Sequence, residues 1–202
     1  MKKIICLLII FNVFAKINFG QTAQAFNHFG SEKVKAGKNK EAIEDFNKAI
    51  KLNPNYADAY DNRGSAKFRL KDYQGAIEDF DQAIKLNPKD EEGYYNRGVI
   101  KDILGQHQSA LLDFNNAIRI NPNYAIAYCG RGVTKGNLHD IQGAMNDFNK
   151  AIKLNPNFGE AYFKRGIGYI NLSNKVDACK DFNKALKLGY SLASQMINHY
   201  CK

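Results

Sequence analysis

Proline and cysteine are scarce in this 202-residue chain, at four residues each, and its four histidines build no metal-binding signature. His28, His107, His139 and His199 are spread along the chain without the short spacing that sets two ligands on one helix face. No strand is predicted, so no Gly-rich phosphate loop follows one. No serine or cysteine nucleophile has an evident base. These absences argue against an enzyme and against any metal or organic cofactor. The 29 Lys and Arg residues outnumber the 20 Asp and Glu, yet the cations form no block. Lys48, Lys51, Lys85, Arg119, Lys150, Lys153, Lys184 and Lys187 all fall near the C-terminal ends of predicted helices, where they complement the helix dipole. A nucleic-acid surface would need a clustered basic stripe interleaved with aromatics. No nucleic-acid partner is expected.

The chain also lacks an apolar run long enough to span a bilayer. The longest, from Ile4 to Ala15 and broken only by Asn12, would reach about 18 Å as a helix against a hydrocarbon core of about 30 Å. It follows Lys2 and Lys3, and no acidic residue appears before Glu32. A charged start, a short apolar stretch and a polar exit describe a secretory signal over residues 1–20. Ala15, Gly20 and Ala25 offer three cleavage points. Cutting after Ala25 would remove the start of a helix whose predicted N-cap is Thr22, which favours Gly20. Cys6 lies inside the run rather than after it, and so reads as an ordinary signal residue. Loss of Lys2, Lys3 and Lys16 lowers the formal charge from +9 to +6. The expected location is a bacterial periplasm or the exterior.

Three cysteines then remain, Cys129, Cys179 and Cys201. An odd number at irregular spacing is not a disulfide framework, and the favoured reading is three unpaired thiols. Cys179 and Cys201, near opposite ends of two antiparallel predicted helices, could nevertheless approach each other.

What the chain does have is period. Pro54, Pro88, Pro122 and Pro156 stand 34 residues apart, as do Ala42, Ala76, Ala110, Ala144 and Ala178. Phe46, Phe80, Phe114, Phe148 and Phe182 keep the interval, and so do Ala49, Ala83, Ala117, Ala151 and Ala185. A fixed period of this length means stacked copies of one supersecondary unit. In the copy from Ala57 to Pro88, Ala59, Tyr60, Arg63, Gly64, Lys67 and Phe68 follow the spacing of one helix that ends at Leu70. Ala76, Ile77, Phe80, Ala83, Ile84 and Leu86 mark a second, closed by Asn87-Pro88 because proline disfavours a helical residue before it. Gly64 and Ala76 face each other across the antiparallel pair and let the backbones approach. Phe80 fills the gap toward the next copy.

The pattern resembles the tetratricopeptide repeat, with its aromatic-x-x-Leu-Gly on the first helix, Ala-x-x-x-Phe on the second and a closing proline. Here the first helix reads Phe26-x-x-Phe29-Gly30, then Tyr60-x-x-Arg63-Gly64, Tyr94-x-x-Arg97-Gly98, Tyr128-x-x-Arg131-Gly132 and Tyr162-x-x-Arg165-Gly166. The second keeps Ala-x-x-x-Phe-x-x-Ala in all five copies. The resemblance implies an all-α fold, a right-handed α-solenoid in a single domain over residues 21–202. Its repeats run over about 23–56, 57–90, 91–124, 125–158 and 159–190. A capping helix follows over 191–202, with Gly189 as the helix C-terminal cap and an apolar stripe of Leu192, Met196, Ile197 and Tyr200.

One departure from the family is regular. Arg63, Arg97, Arg131 and Arg165 stand where leucine is common, and Asp45, Asp79, Asp113, Asp147 and Asp181 recur on the second helix. Antiparallel pairing brings these columns to similar heights. A ladder of Arg–Asp pairs is expected, for instance Arg97 with Asp79 or Asp113.

In such arrays the first helices line a concave face on which partner segments lie. The positions this implies here are Asp61, Phe68, Tyr95, Val99, Ile103, Val133, Asn137, Phe163, Ile167, Ile170 and Asn171. This groove is polar in the first two repeats and apolar from Tyr95 onward, where Cys129 and Val133 replace the basic and amide groups that clamp acidic tails. The expected function is non-catalytic protein–protein interaction outside the cytoplasm, with a protein or peptide segment as partner. The alternative is a structural protein in which Leu192, Met196 and Tyr200 stack end-to-end on Phe26 and Phe29 of another copy.

Overall fold

The computed structural model describes residues 22–201, so the expected signal segment lies outside the described residues. Every regular element among them is an α-helix. Four helices form a first compact unit that ends at Lys89: α1 (Ala23–Lys35), α2 (Asn39–Leu52), α3 (Ala57–Arg69) and α4 (Tyr73–Leu86). The second unit, from Asp90, holds α5 (Glu91–Ile103), α6 (His107–Ile120), α7 (Ala125–Asn137), α8 (Ile141–Leu154), α9 (Gly159–Asn171), α10 (Lys175–Lys187) and α11 (Ala193–Tyr200). Within each repeat the two helices pack on each other, α1 with α2, α3 with α4, α5 with α6, α7 with α8 and α9 with α10, as the 34-residue period requires.

The punctuation is local chemistry. Thr22 caps α1 as expected, its hydroxyl oxygen accepting from the Ala25 N–H at 3.0 Å. Asp72, Asp140 and Asn174 cap α4, α8 and α10 in the same way. The helices that precede each proline stop at Asn53, Asn87, Asn121 and Asn155. Each asparagine does more than precede a proline: its side-chain oxygen accepts the N–H two residues on, at 3.0–3.3 Å. This Asx turn steers the chain into the next repeat. Within each repeat the turn contains one left-handed residue, again 34 apart: Gly37, Lys71, Gly105, His139 and Ser173, with φ between 58° and 76°. Residue type does not mark this handedness, because only two of the five positions are glycine.

The repeated alanines and phenylalanines form the cores. Ala42, Phe46 and Ala49 in the first unit, and Ala110, Ala117, Ala151, Ala178, Phe182 and Ala185 in the second, are wholly shielded from water. The recurring glycine column is steric. A Cβ on Gly132 would stand 2.7 Å from the Phe148 ring and 3.2 Å from the Ala144 carbonyl oxygen, closer than packed atoms tolerate. Phe114 lies between Gly98 of its own pair and Gly130 of the next, where added Cβ atoms would meet it at 3.1 and 2.9 Å. The phenyl ring therefore joins successive pairs, as the sequence implied for its column.

The expected ladder is present, and its register is settled. Arg63 donates through Nε and Nη2 to both oxygens of Asp79 at 2.9 and 2.6 Å. Arg97 does the same to Asp113, Arg131 to Asp147 and Arg165 to Asp181. Each arginine thus takes the aspartate of its own repeat, sixteen residues on, in a two-point fork that favours Arg over Lys. Three of these aspartates also hold a lysine, Lys67, Lys101 and Lys135, each at 2.8 Å. The remaining Nη1 reaches back to the preceding repeat, from Arg63 to Asn47, Arg131 to Asn115 and Arg165 to Asn149, at 2.6–2.7 Å. Each guanidinium also lies over the tyrosine three residues before it, 5.4–5.6 Å from the ring centre. The first repeat has Phe29 in the arginine column, and there Lys33 takes Asp45 instead, at 2.6 Å.

The C-terminal end corrects two expectations. Cys179 and Cys201 are joined by a disulfide, leaving Cys129 as the free, buried thiol among the described residues. The approach noted from the sequence is realised because α11 returns along α10 and brings Cys201, just past its end, to Cys179 in the second turn of α10. Gly189, with φ of 87°, ends α10 as a left-handed cap, the Tyr190 N–H reaching back to the Ala185 carbonyl. The apolar stripe of α11 is also rotated. Ala193, Met196, Ile197 and Tyr200 face the core of Phe163, Ala178, Phe182 and Ala185, whereas Leu192 precedes the helix and is exposed. Met196 and Tyr200, two residues of the end-to-end stacking alternative, are thus turned onto their own unit.

Candidate functional site

In the second unit the first helices α5, α7 and α9 stand side by side, and two open cavities lie along them. The first, about 170 Å³, is lined by Tyr95, Val99, Asp102 and Ile103 of α5, by Ile126, Cys129 and Val133 of α7, and by Phe158, Glu160 and Lys164 at α9. The second, about 230 Å³, has Val133, Gly136 and Asn137 of α7 opposite Lys164, Ile167, Gly168 and Asn171 of α9. Val133 and Lys164 belong to both, so the cavities adjoin.

Seven of the eleven sequence-derived positions therefore meet here: Tyr95, Val99, Ile103, Val133, Asn137, Ile167 and Asn171. The other four lie elsewhere. Asp61 and Phe68 belong to α3 in the first unit, where Phe68 lies against the Tyr73 ring. Phe163 is 8% exposed and packed on Phe182 and Tyr190, so it is a core residue rather than a contact surface. Ile170 packs half-buried against the same C-terminal core. Phe163 shares its column with Tyr95 and Cys129, which line the first cavity, but here Tyr190 and the C-terminal core close over it.

The polar groups of the site have defined partners. Asp102 accepts from the Asn137 amide at 3.2 Å and faces His107 Nδ1 at 2.8 Å. Asn137, expected to orient a partner, is thus tied to α5. The first unit shows a different first-helix surface, where Asn62 donates to Asn27 and Asn27 to the Tyr56 hydroxyl. The polar-to-apolar contrast read from the sequence is visible unit by unit. Burial pushes the Cys129 thiol up to about 12, with the Glu160 carboxylate adding to the effect, so this cysteine packs as a neutral thiol. Sequence reasoning missed Asp102, Glu160 and Lys164, although each stands one helical turn from a position it did name.

No group of three or more metal-ligating side chains occurs among the described residues, and no helix among them is long and apolar enough to cross a membrane.

The helix pairs, their period and this first-helix face define a class of protein. Family profiles described as TPR repeat match residues 30–71 and 64–101, and profiles described as tetratricopeptide repeat match 91–124 and 125–158. The chain belongs to the tetratricopeptide repeat family, and its fold is the all-α solenoid of that family. No curated protein matched in sequence. Among solved structures it is similar to MamA, at 27% identity over 82% of this chain and 96% of that one, with a TM-score of 0.70. YrrB, described as a TPR protein with an unusual peptide-binding site, aligns at 21% identity over 92% and 97%, with a TM-score of 0.69. PilF of Pseudomonas aeruginosa aligns at 16% identity over 82% and 75%, with a TM-score of 0.76. The last two attest the fold alone. The family and the fold support a protein-interaction role.

Proposed function

We propose that this protein is a non-catalytic scaffold that works outside the cytoplasm and docks a segment of a partner protein in the groove between α5, α7 and α9. The observation that carries this reading is the pair of adjoining cavities, walled by Tyr95, Val99, Ile103, Val133 and Ile167. Each is smaller than the roughly 300–1,000 Å³ of a small-molecule site, and suits an anchoring side chain better than a cofactor. Ile103, 52% exposed on this face, is the kind of apolar surface that marks an interaction site. Three features support export: the charged and apolar start of the sequence, the Thr22 cap that places the helical region just after Gly20, and the Cys179–Cys201 pair. Disulfides persist in oxidising compartments and are rare in the cytosol.

The test is a cross-linking pull-down from the envelope fraction with the parent protein and a Val99→Asp, Ile167→Asp variant whose helicity and melting are checked first. The expected result is a partner captured by the parent and lost by the variant, from a bait whose N-terminus is Gln21. Equal capture by both would move the site off this groove, and a bait retaining residues 1–20 in the cytosolic fraction would remove the export.

A further inference from the structure

The two cavities differ in charge. The first is lined by two carboxylates, Asp102 and Glu160, and one ammonium, Lys164. The second has Lys164 as its only charged lining residue. Asp102 is already engaged by His107 and Asn137. Glu160 is different: no hydrogen bond or ion pair joins it to another described side chain. Its field nevertheless reaches round the cavity. The Tyr95 phenol is pushed up to about 12, by burial first and by Glu160 second, and Tyr190 moves in the same direction for the same two reasons. Glu160 thus presents an unneutralised negative charge to the first cavity, while Lys164, one turn further along α9, stands on the wall between the two.

Resting on the interaction reading above, we infer that the groove recognises a peptide segment of mixed and ordered charge. One bulky apolar side chain with a Lys or Arg beside it fills the α5–α7 cavity against Glu160. A second apolar side chain with an Asp or Glu beside it fills the α7–α9 cavity against Lys164. The apolar walls supply contact area, and the two charges fix which anchor enters which cavity and so the direction of the bound chain. Charges arranged this way contribute more to specificity than to affinity. Both groups remain half-exposed, so the preference over a segment of uniform charge should be about threefold to fivefold for each matched pair, weakening as salt rises.

The experiment is fluorescence anisotropy on the protein as the cell processes it. The probes are labelled ten-residue peptides with two leucine or phenylalanine anchors, flanked by Lys and Glu, by Lys at both, by Glu at both, or by Gln at both. The parent should bind the mixed peptide most tightly. Glu160→Lys should shift the preference to the doubly acidic peptide and Lys164→Glu to the doubly basic one, with the Val99→Asp, Ile167→Asp variant binding none. Equal affinity for all four peptides, abolished by the groove variant, would overturn the charge order and leave the groove reading intact. Binding that survives the groove variant, or no binding of any peptide, would overturn both.

Discussion

Asp147→Ala should lower the stability of the second unit by about 3 kcal/mol, the low end of what breaking a buried ion pair costs. Asp147 is 4% exposed, yet it accepts two hydrogen bonds from Arg131 and an ion pair from Lys135 at 2.8 Å. Removing the carboxylate strands two cations in a crowded wall and leaves the Arg131 fork bound only to Asn115 and stacked on Tyr128. The cost stays at the low end because both cations retain a path to water, with side chains 19% and 24% exposed. The pair itself need not stabilise the fold. An Arg131→Leu, Asp147→Leu double variant restores apolar packing in the family's commoner style, and it should unfold later than Asp147→Ala alone. Urea unfolding of the three proteins decides this. A single variant within about 0.5 kcal/mol of the parent would mean that the ladder is surface decoration.

The second large effect is expected at the other end of the unit. Cys201→Ser, or reduction of the parent, should cost about 3 kcal/mol, the chain-entropy value for a closed loop of this size. The residues joined are 22 apart in sequence. The effect is large because α11 has only eight residues and no side-chain N-cap, and so has little helical stability of its own. What keeps Met196, Ile197 and Tyr200 over the Phe182 core is packing at one face and the covalent tie at the end. Guanidinium unfolding with and without reductant measures the difference. An unchanged midpoint on reduction would show that packing alone holds the helix.

The scaffold was legible in the sequence because it is repeated: five copies of Ala-x-x-x-Phe-x-x-Ala vote on the same packing, and a periodic signal averages away local ambiguity. The Arg–Asp ladder was legible for the same reason, although choosing Asp113 over Asp79 for Arg97 required the pair geometry. What repetition could not reveal is what occurs once. The disulfide belongs to the single capping helix, and the odd cysteine count pointed away from it. Phe163 shares the column of Tyr95 but is covered by Tyr190, which follows Gly189 in the one linker that lacks Asn-Pro. Asp102, Glu160 and Lys164 occupy columns that change from copy to copy, so nothing periodic marks them. The candidate surface is written in the non-repeated positions.

The central claim is that recognition takes place on the α5–α7–α9 face, and site-specific photo-cross-linking tests it most directly. A photoreactive residue is placed at Val99, in the groove, or at Leu112 on α6, 66% exposed and outside both cavities. The expected result is a discrete adduct in cells from position 99, competed by the mixed-charge peptide, and none from position 112. Adducts from position 112 with none from position 99 would contradict it.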